Sequence, residues 1–210
     1  MEESHTGTFS SNNLNKRITI RPAIVSDIQY LPAIEESASE IFNSISDLKF
    51  IAADPPLSTD MLHSFLTSDH LWVATTREDK SGTEIPVAFL AAKCITPVRR
   101  SQRSANNNNL SEHLYIVECS VHLSFQRQGM AGRMLSTIAD YACEHGFGWL
   151  TLITFLDVPW NGRFYQRHGF EEVEAAGMGD EYVEILREEL DQWKDWNPHR
   201  WRRGVMARKL

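Results

Sequence analysis

The stretch from Tyr115 to Ala139, YIVECSVHLSFQRQGMAGRMLSTIA, constrains the fold more than any other part of this chain. A run of apolar and β-branched residues predicts a strand, and apolar residues recur at helical spacing after a glycine-containing turn. Small residues at such a turn allow a ligand to approach the backbone closely. The stretch therefore predicts a strand–turn–helix unit of an α/β protein, with a ligand at the turn.

The turn itself runs from Gln126 to Gly132. The first turn of the following helix would present unpaired N–H groups and the positive end of its dipole, which together favour a phosphate or pyrophosphate. Arg127 and Arg133 flank the turn and could add charge-assisted hydrogen bonds. The competing interpretation is an ordinary strand-to-helix connection without a ligand.

A second segment, NGRFYQRHGF, runs from Asn161 to Phe170 and predicts a short helix that ends at Gly169 and leads into a strand. The pattern Q-x-x-G-x-A, followed further along the chain by N-x-x-F-Y-x-x-x-G-F, resembles the GNAT superfamily of acyl-coenzyme A-dependent N-acyltransferases. The resemblance extends from about Ile18 to the C-terminus.

The resemblance implies an α/β (α+β) fold in a single domain over residues 16–210. It further implies a mixed, mostly antiparallel sheet of about seven strands, helices on both faces, and a V-shaped opening in mid-sheet for the cofactor. The polar tail 1–15 is predicted to be disordered. Residues 97–111, rich in Asn, Ser and Arg, are predicted to form a flexible loop, either a mobile hairpin tip or a substrate gate. Residues 175–203 are predicted to form a helical insertion before the last strand.

Periodicity and turn residues predict the remaining elements. The expected strands cover residues 17–21, 71–76, 86–95, 149–155 and 204–209. The expected helices begin at Ser26 or Asp27 and continue through Ile41, begin at Ser58 and continue through Leu66, and cover residues 131–145 and 180–196. Tryptophans 193, 196 and 201 are expected to pack that last helix on the body of the protein, or to line an acceptor pocket or a dimer contact.

The composition of the chain argues against several classes of function. The net charge of −7 argues against a nucleic-acid binder and is compatible with a cationic amine substrate. No apolar run approaches the roughly 20 residues that cross a bilayer, so no membrane association is expected. The 3 cysteines are an odd number and are expected to be buried free thiols, which favours the reducing cytoplasm, or the nucleus, over an oxidising compartment. Cysteine and histidine are not spaced as zinc ligands, so no metal is predicted.

By resemblance, acetyl-CoA is the acyl donor, and the turn from Arg127 to Gly132 matches the pyrophosphate loop of the family. Val121 and Leu123 are expected on a strand that leaves its parallel neighbour and pairs with the pantetheine arm. Asn161 matches a position that contacts this arm, although it could instead serve only as a helix N-cap. The expected cofactor contacts are Val121, Leu123, Gln126, Arg127, Gln128, Gly129, Met130, Ala131, Gly132, Arg133 and Asn161.

The resemblance also implies the catalytic residues. Tyr165 matches the tyrosine near the CoA sulfur and is predicted to be the general acid, unless it only packs like Phe164. Glu118 stands where relatives carry an acidic residue, within E-C-S-V rather than E-L-x-V, and is predicted to be the general base or a counter-ion for the amine. A structural salt bridge of Glu118 is the alternative. His122, expected on the same strand face, is a second candidate base.

The predicted function is therefore transfer of an acetyl group from acetyl-CoA to a primary amine, preferably of a small molecule. Acylation of a protein lysine or N-terminus, use of a longer acyl chain, and a silent CoA-binding sensor remain open. The partners expected are acetyl-CoA and an amine acceptor, in a monomer or homodimer. The acceptor pocket is expected to be built from the variable loops at residues 42–57, 97–111 and 175–203.

Overall fold

The computed structural model describes residues 18–77, 82–98, 111–195 and 201–210. The predicted tail 1–15, most of the predicted loop 97–111, and Trp196 lie outside the described residues. Predictions made for those parts of the chain stay predictions.

The described residues form a seven-stranded sheet in the order β1-β2-β3-β4-β5-β7-β6. Its strands are β1 (Thr19–Pro22), β2 (Leu71–Arg77), β3 (Glu84–Ile95), β4 (His113–Val121), β5 (Trp149–Phe155), β6 (Glu171–Val173) and β7 (Arg203–Lys209). Within this sheet β4 and β5 run parallel, and every other neighbouring pair is antiparallel. The predicted mixed, mostly antiparallel sheet is confirmed.

The helices are α1 (Leu31–Ser39), α2 (Lys49–Ala53), α3 (Thr59–Thr67), α4 (Met130–Glu144), α5 (Gly162–Arg167), α6 (Ala175–Met178) and α7 (Asp180–Gln192). Short 3₁₀ segments cover Val25–Tyr30, Glu40–Ser44, Ser46–Leu48 and Leu123–Phe125. Across the part of the chain that the structure describes, no helix combines the length and the apolar character needed to span a membrane.

The first predicted helix differs from the structure. A 3₁₀ segment occupies its start, and the α-helix begins only at Leu31. Pro32 then lies in the first turn of that helix, which is a position where proline is tolerated. Asp27 is not an N-cap but lies inside the 3₁₀ segment, where its carboxylate accepts a hydrogen bond from the Ile24 N–H (2.8 Å) and pairs with Arg21.

Helices cover both faces of the sheet, as predicted. Successive residues of a strand point to opposite faces. Trp72 and Leu90 therefore pack in the cluster that contains the α4 residues, whereas Val73 and Phe89 pack in the cluster under α1 and α3. This alternation places the two cores on either side of one sheet.

Helix α7 is fastened to the sheet by Tyr182, which is fully buried. Its hydroxyl lies 2.8 Å from Thr151 Oγ1 on β5 and 2.8 Å from His113 Nδ1 on β4. The helix ends at Gln192 and is thus shorter than the predicted 180–196.

The sheet opens between its two central strands. β4 and β5 are paired only at His113↔Trp149, Leu114↔Leu150 and Tyr115↔Thr151. Beyond Tyr115 the two strands continue without further pairing, while β5 stays paired with β7 up to Phe155. The predicted V-shaped opening in mid-sheet is present, and it positions the candidate site.

Candidate active site

A cavity of about 1360 Å³ lies at this opening. Its walls come from the C-terminal halves of β4 and β5, the first turns of α4, and helices α1 and α5. Apart from His122, the second candidate base, the cavity brings together all but one of the residues predicted from the sequence: Glu118, Val121, Leu123, Gln126, Arg127, Gly129, Met130, Ala131, Gly132, Arg133, Asn161 and Tyr165. Gln128 is the exception, and its amide donates to the Ser124 carbonyl instead (3.3 Å).

The turn before α4 has the backbone geometry of an anion-binding loop. Gly129 adopts a left-handed conformation (φ +76°) and Arg127 does so as well (φ +59°), which is uncommon for a residue with a side chain. Helix α4 starts directly after this turn. Its first backbone hydrogen bond joins the Arg133 N–H to the Gly129 carbonyl (3.1 Å). The N–H groups ahead of Arg133 have no intrahelical acceptor and face the cavity end of the helix.

Two side chains around the turn make hydrogen bonds that hold it in place, and a third is exposed to the cavity. Gln126 Nε2 donates to the Val121 carbonyl (3.1 Å) and so ties the turn to the end of β4. Arg133 Nη2 donates to the Ile18 carbonyl (3.2 Å). Arg127 is exposed at the cavity wall, where its charge is available to an anion.

Val121 offers its own backbone to the opening. The His122 N–H donates to the Val87 carbonyl (2.9 Å) in the same register that pairs Ala88 with Val121. In an antiparallel pair, adjacent residues point their N–H and C=O groups in opposite directions. The N–H and C=O of Val121 therefore face the gap towards β5, where the carbonyl also accepts the hydrogen bond from Gln126 Nε2.

Leu123 and His122 are placed differently from the prediction, because β4 ends at Val121. Leu123 lies on a 3₁₀ segment and reaches the cavity from there. His122 caps that segment, with Nδ1 accepting from the Ser124 N–H (3.3 Å), and burial lowers its pKa. It does not share a strand face with Glu118 and does not line the cavity, so the structure gives it no position as a base.

Glu118 projects from β4 into the cavity. Its Oε1 accepts hydrogen bonds from Ser120 Oγ (2.7 Å) and from the Cys119 N–H (3.0 Å). Burial raises the pKa of Glu118, while these two hydrogen bonds and the positive charge of Arg203 act in the opposite direction.

Tyr165 lies on α5 and lines the same cavity. Its ring packs edge-on against Phe164 and Phe170, with ring centroids 5.1 Å and 5.6 Å away. Burial, together with the neighbouring Cys119 and Glu118, raises the pKa of Tyr165 well above its ordinary value. The phenol therefore remains protonated at neutral pH and can act as a proton donor.

Cys119 is the cysteine at the cavity, and burial raises the pKa of its thiol to about 12. All three thiols are free. The expectation that all three are buried is wrong, because Cys94 and Cys143 are exposed. Both lie on the outer face of an amphipathic element, and an apolar sequence neighbourhood did not reveal that orientation.

Asn161 occupies the N-cap position of α5, yet its side chain makes no capping hydrogen bond. Its backbone carbonyl accepts from the N–H groups of Phe164 (2.8 Å) and Tyr165 (3.1 Å). The side-chain amide lies at the cavity wall. Asn161 is therefore the N-cap of α5, as the alternative interpretation had it, but it caps the helix through its backbone carbonyl and not through its side chain.

Glu35 on α1 is a cavity residue that the sequence analysis missed. Its Oε2 accepts from the Leu57 N–H (3.1 Å). Burial and the nearby Glu118 carboxylate raise the pKa of Glu35 to about 8. Its position one residue after the buried Ile34 was the available signal, because a glutamate there falls at the edge of the apolar face of the helix.

Arg203 at the start of β7 is a second residue that was missed. Its guanidinium carbon lies 4.7 Å from the ring centroid of Phe155 and 4.7 Å from that of Trp193. Its Nη2 pairs with Glu189 Oε2 at 2.6 Å. The aromatic rings and the carboxylate together hold a positive charge near Glu118.

The end of the cavity near Arg203 is apolar. Its wall comprises Phe42, Ile51, Phe155, Trp160 and Trp193. Trp193 stacks on Phe155 with an interplanar angle of 19°, and Trp160 packs edge-on against Phe42. Trp193 thus packs against the body of the protein, which was the main expectation, and it also lines the cavity. We call this set the aromatic wall.

The family follows from a comparison of the chain with protein-family models. The model of the acetyltransferase (GNAT) domain matches residues 67–172, which contain β2 to β5, the turn before α4, and Tyr165. The chain belongs to the GNAT acetyltransferase family. The GNAT match spans the turn before α4 and the strand opening, the two features that build the cavity.

Solved structures agree with the GNAT fold. The chain is similar to the NatC complex bound to Gag peptide and CoA (18% identity, 92% of this chain and 98% of that chain, TM-score 0.56). It is similar to Arabidopsis thaliana NAA60 in complex with acetyl-CoA (14%, 92% and 99%, TM-score 0.59). It is also similar to N-acetylglutamate synthase from Neisseria gonorrhoeae complexed with coenzyme A and N-acetyl-glutamate (16%, 92% and 35%, TM-score 0.54).

Proposed function

We propose that this GNAT acetyltransferase transfers the acetyl group of acetyl-CoA to the primary amine of a small molecule. The observation that carries the proposal is that one cavity contains an anion-binding helix N-terminus, an unpaired strand edge, a carboxylate and a protonated phenol. Acyl transfer from a thioester requires that the cofactor is held, that the amine loses a proton and that the departing sulfur receives one, and these groups can meet those requirements.

The cofactor would bind along the opening of the sheet. The N–H groups of the turn from Arg127 to Gly132 would receive the pyrophosphate, with Arg127 adding charge. The pantetheine arm would run past the backbone of Val121 and the amide of Asn161 as an additional strand. Solved structures of this fold contain CoA or acetyl-CoA, which supports the same donor here.

The reaction would proceed by direct attack. The amine nitrogen forms a bond to the thioester carbonyl, and the carbon–sulfur bond of the tetrahedral intermediate then breaks. Glu118 takes one proton from the ammonium form of the acceptor, and Tyr165 donates a proton to the departing CoA thiolate. A further nitrogen proton of the intermediate restores the phenol, so the products are the amide, CoA and one proton.

The acceptor would occupy the end of the cavity beside the aromatic wall. Phe42, Trp160 and Trp193 offer ring surface to an apolar group attached to the amine. A small molecule suits this apolar wall, because a peptide would carry backbone polar groups that the wall cannot satisfy.

The test measures CoA release from acetyl-CoA with aryl-alkylamines, polyamines, amino acids, aminoglycosides and lysine or N-terminal peptides. Wild type is compared with Glu118→Gln and with Glu144→Gln, which removes an exposed carboxylate at the far end of α4. We expect turnover with a small amine, a drop of about 10²-fold or more in Glu118→Gln, and no change in Glu144→Gln. Turnover with peptides alone would assign a protein acceptor, and tight acetyl-CoA binding without any turnover would indicate a sensor.

A further inference from the structure

Two carboxylates line the same cavity, Glu35 from α1 and Glu118 from β4, and the charge of Glu118 is near enough to raise the pKa of Glu35. Helix α1 packs against β4, and both side chains line the cavity. Each carboxylate is anchored through one oxygen: Oε2 of Glu35 by the Leu57 N–H, and Oε1 of Glu118 by Ser120 and Cys119. Among the described residues, nothing donates a hydrogen bond to the other oxygen of either group, Oε1 of Glu35 and Oε2 of Glu118.

Among the described residues, the charges near this pair are mostly negative. Glu36 on α1 and Asp54 after α2 add negative charge beside Glu35. On the Glu118 side, the Arg203 guanidinium is the facing cation, and it is already paired with Glu189. Tyr165 and Cys119, which also face Glu118, are neutral because burial raises the pKa of both. Two neighbouring carboxylates in such surroundings hold one proton between them.

We propose that Glu35 and Glu118 together bind the acceptor as its ammonium ion and take its proton, so that the enzyme selects amines that are cationic at neutral pH. This inference rests on the proposed function and names the class of acceptor and a second residue that recognises it. The two oxygens without donors are the acceptors for the ammonium N–H groups, and the aromatic wall receives the group attached to the nitrogen.

The proton balance is simple. Before the acceptor arrives, the pair carries one proton and one negative charge. Arrival of the ammonium displaces this proton to solvent, because the cation satisfies both carboxylates. The ammonium then returns one proton to the pair as the nitrogen attacks, which restores the singly protonated pair, so that one proton is released to solvent in each turnover.

The recognised class is therefore alkylamines, whose ammonium ions in water have a pKa of about 10, like the side chain of lysine. Arylamines, which are neutral at pH 7, lack the charge that the pair recognises. An uncharged alcohol of the same shape lacks it as well. This contrast separates the proposal from simple hydrophobic binding by the aromatic wall.

The test is a ¹³C NMR titration of glutamate carboxyl groups in the protein saturated with acetyl-CoA or, for turnover-free samples, with CoA. It compares wild type, Glu35→Gln, Glu35→Asp, Glu118→Gln and the remote control Glu144→Gln. The probes are 2-phenylethylamine and its uncharged counterpart 2-phenylethanol, each added to the CoA complex. Circular dichroism verifies that each variant is folded.

We expect one wild-type carboxyl to titrate near pH 8. Glu35→Gln should remove that titration and lower the midpoint of Glu118 by about one pH unit, because a like charge is lost. Glu35→Asp should restore a coupled pair, and Glu144→Gln should leave it unchanged. The amine should lower the midpoint of the pair by about one unit or more, and the alcohol should not move it.

A Glu118 midpoint in Glu35→Gln equal to that in wild type, or equal effects of amine and alcohol, would overturn the proposal. Failure of the proposed function is a separate result, because it would appear as absence of acetyl-CoA binding and of CoA release. Turnover that persists with an unchanged pH profile in Glu35→Gln would leave the proposed function standing and would remove Glu35 from it.

Discussion

The imidazole of His168 occupies the space that a side chain at position 132 would need. A Cβ placed on Gly132 would lie 2.5 Å from His168 Cε1 and 2.9 Å from Nε2. The first turn of α4 therefore sits directly against the end of α5, and the two motifs recognised in the sequence meet at this contact. The position of the turn before α4 depends on the absence of a side chain at Gly132.

Gly132→Ala is expected to displace the first turn of α4. The cost of the clash should exceed the roughly 1 kcal/mol by which alanine is favoured over glycine in a helix. We expect the correctly placed first turn to become less favourable by about 1–2 kcal/mol. Acetyl-CoA affinity, measured calorimetrically, should fall about tenfold at a cost of that size. Gly177→Ala is the matched control, since its Cβ would meet nothing closer than 3.9 Å. The double variant with His168→Ala should recover affinity, and no recovery would contradict the steric explanation.

Tyr165→Phe removes the phenol and keeps the ring that packs on Phe164 and Phe170. We expect kcat to fall by about 10²-fold while acetyl-CoA affinity and unfolding temperature stay near wild type. Tyr141→Phe, which removes a phenol outside the cavity, should have no effect. Equal kcat values for wild type and Tyr165→Phe would reduce Tyr165 to a packing residue.

Asn161→Ala tests whether the side-chain amide contacts the cofactor. Because that amide makes no capping hydrogen bond, stability should change by less than about 0.5 kcal/mol. The KM for acetyl-CoA should rise by about 3- to 20-fold, the value of one hydrogen bond. A large stability loss in urea unfolding, with unchanged KM, would show that the residue acts on the fold instead.

Glu35→Gln should change stability in a pH-dependent manner. The folded-state pKa of Glu35, about 8, lies above the ordinary value of 4.5. Between these values the folded protein holds more protons than the unfolded chain, so the free energy of unfolding falls as pH rises. The variant should therefore gain stability relative to wild type at pH 8.5, and gain less at pH 5. Urea unfolding at both pH values measures this difference, and an equal effect at both would rule it out.

Arg203→Met should raise the pKa of Glu118, because it removes the cation that opposes the effect of burial. The acid limb of kcat/KM should then move to higher pH by about one unit. Glu189→Gln should shift the acid limb in the opposite direction, to lower pH, because it leaves the Arg203 charge unpaired. Shifts of the same sign in both variants would mean that packing, not charge, connects Arg203 to Glu118.

Local patterns were sufficient for much of this fold. The structure has the strand from Trp149 to Phe155 where the apolar run predicted it, and Ser58 caps α3 through the Met61 N–H. The turn before α4 was recognisable because its glycines and its neighbouring strand and helix lie within one short stretch. These features depend on residues close together in sequence.

The features that escaped prediction depend on contacts between distant segments. Glu35 matters because α1 packs against β4, and nothing in its own helix indicates that Glu118 will lie opposite. Arg203 acquires its surroundings from Phe155, which is distant from it in the sequence, and from Glu189 and Trp193, which belong to a different element. The 3₁₀ segments near Glu40 and Ser46 follow the tertiary course of the chain and carry no periodic pattern of their own.

The short pairing of β4 with β5 has a thermodynamic consequence. Only three residue pairs join these strands, so the ladder is unfinished in the protein without its cofactor. A ligand that completes it binds the folded chain and not the unfolded one, and at 100 times its dissociation constant it adds about 2.7 kcal/mol of stability. If acyl-CoA is that ligand, as proposed, the free energy of unfolding of this protein would rise with the concentration of acyl-CoA around it.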